Sequence, residues 1–213
     1  MPLKINEIYY SVQGESTHAG RSCVFIRLTY CNLRCSYCDT EYAFYEGKDM
    51  DIGDIMSEIQ QWDCNLVEVT GGEPLFQKEC IDLLNELVSH KYEVMLETGG
   101  SLSVSDVPDE VIKIVDFKCP SSGMEKKNLW SIVDNLQPHD EVKFVIGNRE
   151  DFDWAKEKIT KYSLDKICTL LFSPTFGKMD PQQIVEWILA ENLPVRMQMQ
   201  MHKMIWNPDK QGV

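Results

Sequence analysis

Two rhythms of apolar and polar positions take turns along this chain. Short, nearly continuous apolar runs at 24–29, 66–70, 92–97, 111–117, 141–146, 167–172 and 195–201 predict strands. Runs of this kind suit strands buried on both faces of a parallel sheet. Between them the apolar spacing changes to three and four. Ile52, Ile55, Ile59 and Trp62 share a helical face, as do Cys80, Leu84, Leu87 and Val88. Asp180 and Pro181 offer an N-cap and a proline at the first helical position, ahead of Ile184, Trp187 and Ile188. A further helix is predicted over 151–162, and only a short one within 124–138. Met197, Met199 and Met201 alternate with Gln198, Gln200 and His202, the period of a strand with one apolar face.

The β-α alternation predicts an α/β fold, and its punctuation favours a barrel. Cys31 follows the first long strand and Gly71-Gly72-Glu73-Pro74 the second. Thr98-Gly99-Gly100, Lys118-Cys119-Pro120-Ser121-Ser122, Ser173-Pro174 and His202-Lys203 each follow a later one. In parallel β/α architectures that end of the strands carries the active site. A complete eightfold barrel takes about 250 residues, and this chain has 213. The expectation is therefore a partial (β/α) barrel, as a single domain over 1–213. No low-complexity tract, long linker or clear internal repeat divides it.

Composition narrows the partners. At 43% apolar and 26% charged, the chain is ordinary for a globular protein. Its formal net charge of −13, from 34 acidic and 21 basic residues, argues against a broad nucleic-acid or anionic-membrane surface. No apolar stretch approaches membrane-spanning length, and residues 1–7 have no secretory apolar region. A cytoplasmic protein with no nucleic-acid or membrane partner is expected. Its eight cysteines are then expected to be reduced, metal-bound or buried. Cys23, Cys64, Cys80 and Cys168 sit in or beside apolar runs and read as packing residues. His18, His90 and His139 read as surface or cap residues.

Cys31, Cys35 and Cys38 are the candidate metal ligands, in the run C-N-L-R-C-S-Y-C. A cubane held by three thiolates leaves one iron open, and open positions are where metal chemistry happens. A zinc site completed by a remote Cys or His uses the same loop, and spacing alone leaves both open. Gly71 and Gly72 let backbone groups approach a ligand closely, or make a plain tight turn. Arg27 suits a bidentate carboxylate contact, or a structural ion pair at the barrel mouth. Asp39-Thr40 could offer oxygen to a hard cation, or form a turn or cap.

Tyr37 precedes the last of the three cysteines, and Gly71-Gly72-Glu73-Pro74 follows about one β-α unit on. This combination resembles the radical S-adenosylmethionine superfamily. The flanks are Ser11-Val12-Gln13-Gly14-Glu15-Ser16, Arg27, Cys38-Asp39-Thr40, Glu97-Thr98-Gly99-Gly100, the run from Asp116 to Ser121, and Gln200-Met201-His202-Lys203. Together they resemble the 7-carboxy-7-deazaguanine synthase family nearly end to end. Ser16 and Gly99 depart from residues common in the family, Gly and Asn, and both swaps are small or compatible with a turn.

The resemblance implies a lyase of queuosine and deazapurine biosynthesis. Its [4Fe-4S] cluster would sit on Cys31, Cys35 and Cys38, with S-adenosylmethionine chelating the open iron. The turn of Gly71, Gly72 and Glu73 would grip the amino group of that cofactor. Tyr37, Thr98, Lys118, Cys119, Pro120, Ser121, Ser173, Pro174, Thr175 and Phe176 would line its groove. The implied substrate is 6-carboxy-5,6,7,8-tetrahydropterin, held by Val12, Gln13, Gly14, Glu15, Arg27, Thr70, His202 and Val213, with Mg²⁺ on Thr40. An amide and a carboxylate, as at Gln13 and Glu15, can satisfy the donor and acceptor edge of a pterin. A cofactor-derived radical carries the ring contraction and loss of ammonia, so no side chain is expected to be catalytic. A flavodoxin or ferredoxin donor and a homodimer are further family expectations. Two other readings use the same loop: a glycyl-radical activating enzyme and a non-enzymatic zinc module.

Overall fold

A computed structural model describes residues 1–213. Its strands are β1 (Leu3–Val12), β2 (Ser22–Leu28), β3 (Lys48–Met50), β4 (Leu66–Gly71), β5 (Glu93–Thr98), β6 (Ile112–Asp116), β7 (Glu141–Ile146), β8 (Thr169–Pro174) and β9 (Arg196–Met197). They form one sheet in the order β3-β1-β2-β4-β5-β6-β7-β8-β9. From β2 onward every pairing is parallel, while β1 runs antiparallel to both β2 and β3. The expected partial barrel is thus an open mixed sheet.

Four longer helices, α1 (Ile52–Ile59), α2 (Cys80–Ser89), α3 (Arg149–Tyr162) and α4 (Pro181–Glu191), pack on its outer face, and a short α5 (His202–Ile205) lies near the chain's end. The predicted cap holds: the Asp180 carboxylate accepts from the Gln182 N–H at 2.9 Å, with Pro181 in the first turn. Asn148 does the same for α3, accepting from the Asp151 N–H, which starts that helix two residues before the predicted 151.

Strand parity divides the side chains between two interiors. Val24, Ile26 and Leu28, Val67 and Val69, Val94 and Leu96, and Phe144 and Phe172 point outward into one core with the helices. The alternate positions point into the barrel. There Cys23, Phe25, Leu66, Met95 and Ile114 form a small apolar layer. Above it the inward positions become polar and charged. This two-sided burial explains why the strands read as nearly continuous apolar runs.

The periodicity did not predict β1 or β3. In β1 the register slips between Ile5 and Glu7: Ile5 faces Leu28, but Glu7 faces Arg27. Asn6 is the extra residue of a bulge. It breaks the alternation that would advertise a strand, and it turns Glu7 and Tyr9 into the barrel beside Arg27 and Phe25. The Tyr9 and Phe25 rings stack at 4.9 Å between centroids.

Two predicted elements come out differently. The strand over 195–201 is only two residues long. After Met197, the Gln198 N–H still reaches the Phe172 carbonyl, but Met201 N–H donates to the Gly14 carbonyl at 2.9 Å. The chain leaves the sheet to meet the loop after β1. Segment 124–138 holds no α-helix, only 3₁₀ turns at Glu125–Lys127 and Trp130–Asn135. Trp130 is held flat between Phe117 and Tyr162, at 4.5 and 4.4 Å, which keeps the segment pressed across the sheet.

Candidate active site

A cavity of about 770 Å³ opens at the C-terminal ends of the parallel strands. Its wall includes Cys31, Cys35 and Cys38, which lie in the loop after β2. All three thiols are free and partly buried. Burial pushes the Cys35 thiol up to about 11. The Leu33 N–H points at the Cys31 sulfur, 3.4 Å away, a contact of the kind that tunes cluster thiolates. No group of three His, Cys, Asp or Glu side chains converges closely enough to hold one metal ion.

The glycine turn is built against this loop. Gly72 N–H donates to the Leu28 carbonyl and Glu73 N–H to that of Tyr30. A β-carbon on Gly71 would strike the Leu28 carbonyl, and one on Gly72 the Tyr30 carbonyl. Only glycine lets β4 pass so near the first cluster cysteine. Glu73 itself is fully buried. Its carboxylate accepts from the Thr98 hydroxyl at 2.9 Å, the Gly99 N–H at 2.8 Å and the Leu75 N–H at 3.1 Å. It ties the turn after β4 to the turn after β5. Burial raises the Glu73 carboxyl above its usual range, and those donors moderate the rise.

Arg27 lies on the wall with two of its nitrogens engaged. Nε donates to Glu7 at 2.7 Å and Nη2 to the Tyr9 hydroxyl at 2.8 Å. The Tyr9 and Tyr42 rings flank the guanidinium at 5.8 and 5.9 Å. Tyr42 also donates to Glu7 at 3.0 Å. Nη1 has no protein partner.

Deeper in the barrel, Lys143 on β7 is the hub of an ion cluster. Its ammonium bonds Glu97, lies 3.0 Å from Glu15 and stands 3.7 Å from Asp116. Lys118 reaches the same Asp116 oxygen at 2.9 Å. Burial pushes Glu15 upward, but the Lys143 ammonium and the Gln200 amide outweigh it and hold the carboxyl below its usual range. Burial works against Lys143 too, and Glu15, Glu97 and Asp116 more than reverse it. Glu68 is buried beside Gln13, which donates to it, and burial with the nearby Glu97 and Glu15 charges lifts its carboxyl well above the usual range. Three buried polar atoms, the Tyr37 hydroxyl, Asp116 Oδ1 and Thr175 Oγ1, have no partner in the protein. All three residues are on the cavity wall, where a polar ligand would satisfy them.

The loop after β1 makes the floor, and the C-terminal segment makes the cover. Ser16 N–H donates to Gln198 Oε1 at 2.7 Å, and Gln200 Nε2 to Glu15 Oε1 at 2.9 Å. His202 packs on Gly14 so closely that a β-carbon there would hit the imidazole. Residues 208–213 complete the wall.

Most residues expected at the site from sequence lie on this one wall. These are Val12, Gln13, Gly14, Glu15, Arg27, the three cysteines, Tyr37, Thr40, Thr70, Gly71, Gly72, Thr98, Lys118, Ser173 to Phe176, His202 and Val213. Four do not. Glu73 acts behind the turn, and Cys119 is buried in the outer core. Pro120 opens a 3₁₀ turn. Ser121 bonds Asp151 at the start of α3, and its carbonyl accepts from Ser36 of the cluster loop. The periodicity reading passed over Glu7, Tyr9, Tyr42, Glu68 and Lys143, and gave Glu97 and Asp116 no role. A lone charge at an inward parity, as at Glu68 in L-V-E-V-T-G or Lys143 in E-V-K-F-V-I, is the signal that marks them.

The barrel, its three-thiol loop and its glycine turn define a radical S-adenosylmethionine protein, and residues 25–119 match the Radical SAM superfamily. The fold is similar to a crystal structure of QueE from Escherichia coli, with a TM-score of 0.79 and 23% identity over 95% of each chain. It is less similar to Streptococcus suis SuiB bound to S-adenosylmethionine, with a TM-score of 0.57 and 13% identity over 80% of this chain and 48% of that one. The 7-carboxy-7-deazaguanine synthase of Koribacter versatilis is 43% identical, covering 99% of this chain and all of that one. That of Chlorobaculum tepidum is 45% identical over 100% of this chain and 98% of its own. The chain belongs to the 7-carboxy-7-deazaguanine synthase family, whose radical enzymes use a [4Fe-4S] cluster and S-adenosylmethionine.

Proposed function

We propose that the cavity takes up 6-carboxy-5,6,7,8-tetrahydropterin above the cysteine loop and yields 7-carboxy-7-deazaguanine and ammonia there. The observation that carries this reading is the shared wall. Gln13, Glu15 and Arg27 face the same space as Cys31, Cys35 and Cys38. Cys31, Cys35 and Cys38 would hold the cluster, which with S-adenosylmethionine would supply radical hydrogen-abstraction chemistry to the substrate.

The protein's own residues bind and orient. Arg27, held by Glu7 and Tyr9, offers its free Nη1 to the substrate carboxylate. Gln13, Glu15 and Glu68 present amide and carboxyl groups to the polar edge of the pterin. Burial and its acidic neighbours lift the Glu68 carboxyl well above the usual range, which favours the protonated form that can donate where an ionised carboxylate could only accept. Thr70, His202 and Val213 complete the enclosure. On the cofactor side, Tyr37, Thr98, Lys118 and Ser173 to Phe176 border the groove, and Glu73 braces the turn of Gly71 and Gly72 from behind. The unpartnered Tyr37 hydroxyl and Asp116 Oδ1 are polar atoms that cofactor or substrate would satisfy.

Thr40 is the proposed Mg²⁺ ligand. Its hydroxyl donates to Asp39 at 2.9 Å, which leaves its lone pairs for a cation. With no side-chain cage nearby, such an ion would take its other ligands from substrate oxygens and water, as Mg²⁺ commonly does. A flavodoxin or ferredoxin could approach the cysteine loop where Asn32, Arg34 and Ser36 are exposed. A cytoplasmic homodimer accords with the family resemblance, and sedimentation of the reconstituted protein tests the dimer. The deciding experiment is turnover. Anaerobically reconstituted protein, given reductant, S-adenosylmethionine and 6-carboxytetrahydropterin, should release 7-carboxy-7-deazaguanine. Absence of that product from protein that still cleaves S-adenosylmethionine refutes the reading.

A further inference from the structure

Asp39 directly follows Cys38, and its carboxylate is engaged by the C-terminal segment. Oδ2 receives the Lys203 ammonium and, at 3.2 Å, the Gln200 amide. Oδ1 receives the Thr40 hydroxyl. Lys203 is 7% exposed, although it lies in a chain-terminal segment, and its ammonium stands 5.1 Å from the Phe176 ring centroid. Gln200 bonds Asp39 and Glu15 with the same amide nitrogen, so it joins the cysteine loop to the cavity floor. Lys203 belongs to the four-residue helix that carries His202. A helix that short has no stability of its own in water. Its place is set by what it touches.

We propose that Asp39 and Lys203 form a latch by which the cysteine loop holds residues 198–213 over the cavity. Asp39 is then a positioning residue for substrate binding. This rests on the reading that the cavity takes the pterin. The latch explains the one charged pair that bridges loop and cover. A cover held by Asp39 brings His202 and Val213 to the substrate.

The test compares Asp39→Asn, Lys203→Met and Lys203→Arg with the parent, all as reconstituted holoenzyme. Hydrogen exchange across residues 199–206, measured without substrate, reads the cover directly. Asp39→Asn and Lys203→Met should speed it about tenfold, the effect of losing one charge-assisted hydrogen bond. The KM for 6-carboxytetrahydropterin should rise by about the same factor, with S-adenosylmethionine cleavage and its KM unchanged. Lys203→Arg should restore both toward the parent. Unchanged exchange in Lys203→Met overturns the latch. So does a fall in cluster content or in S-adenosylmethionine cleavage in that variant, which would give the pair a role in the cluster site instead. If the parent holoenzyme fails to turn over the pterin but exchange responds as stated, the latch stands and the substrate reading falls.

Discussion

Lys143 offers the sharpest test of the barrel's interior electrostatics. Replacing it with methionine keeps most of the volume and removes the one cation paired with Glu15 and Glu97. Leaving a buried charge without its partner costs about 3–5 kcal/mol. Glu15 and Glu97 are 18% and 28% exposed at the side chain, so water entering the cavity relieves part of the loss. The low end, about 3 kcal/mol, is the expected destabilisation, or about 6–12 °C in Tm for a protein of this size. The loss should depend on pH, with a definite sign. Glu15 is held below its usual range, so its contribution is present above the unfolded carboxyl value and fades as pH falls through the folded one. Lys143 is held well above its usual range, so its contribution is present below the unfolded lysine value and fades only as pH rises through the folded one. Between those limits the parent has the full benefit. In the methionine variant burial acts on Glu15 against only the weaker help of the Gln200 amide and His202, and Glu15 takes up a proton more readily as pH falls. The deficit should therefore be larger at about pH 8 than at about pH 5.5. Anaerobic urea unfolding at the two pH values measures it. A loss below about 1 kcal/mol, or one that does not change with pH, would show that the carboxylates do not depend on this ammonium.

Other substitutions separate the remaining parts. Cys35→Ala should abolish formation of 5′-deoxyadenosine and lower bound iron and sulfide; retained cleavage contradicts a three-thiolate cluster. Thr40→Ala should weaken or remove the Mg²⁺ dependence of turnover while leaving S-adenosylmethionine cleavage in place, and an unchanged Mg²⁺ response discards that ligand. Asp140 pairs with the 2%-exposed Lys113 at 3.1 Å and accepts from the Lys113 and Gln137 amides. Asp140→Ala should cost about 3–5 kcal/mol in urea unfolding with KM for substrate unchanged in the folded fraction; a loss under about 1 kcal/mol would mean the pair is dispensable.

What was legible in the sequence follows from how each residue breaks its local pattern. Cysteines, glycines and prolines at strand ends interrupt an apolar run, so Cys31, Gly71 and Ser173 could be placed before any coordinates. Six of the parallel strands, β2 and β4 to β8, were visible because burial on both faces keeps them apolar. That same burial hid the interior. Glu68 and Lys143 are single charges within apolar stretches, and nothing local says which face of a doubly buried strand looks into the barrel. Register supplies that missing piece: Arg27 faces Thr70 across β2 and β4, and with Arg27 inward the parity of every following strand is decided. Glu68, Glu97, Asp116 and Lys143 then fall on one side.

The bulge at Asn6 shows why the rest could not be read by periodicity. Glu7 and Ile5 have the same parity in the sequence but opposite sides in the fold, because the extra residue inverts the strand between them. That inversion places Glu7 and Tyr9 on Arg27 and leaves Nη1 without a protein partner. A cation engaged on one edge and open on the other would take the proposed substrate's carboxylate from its open side. Thus the feature that defeats the hydrophobic pattern also gives the site its direction. The cover behaves likewise. Residues 198–203 keep the period of a strand, yet their polar side chains find better partners in Glu15 and Asp39 than a sheet edge could offer. In both places a local preference yields to charged groups that only the curved sheet brings together, and both places border the proposed substrate.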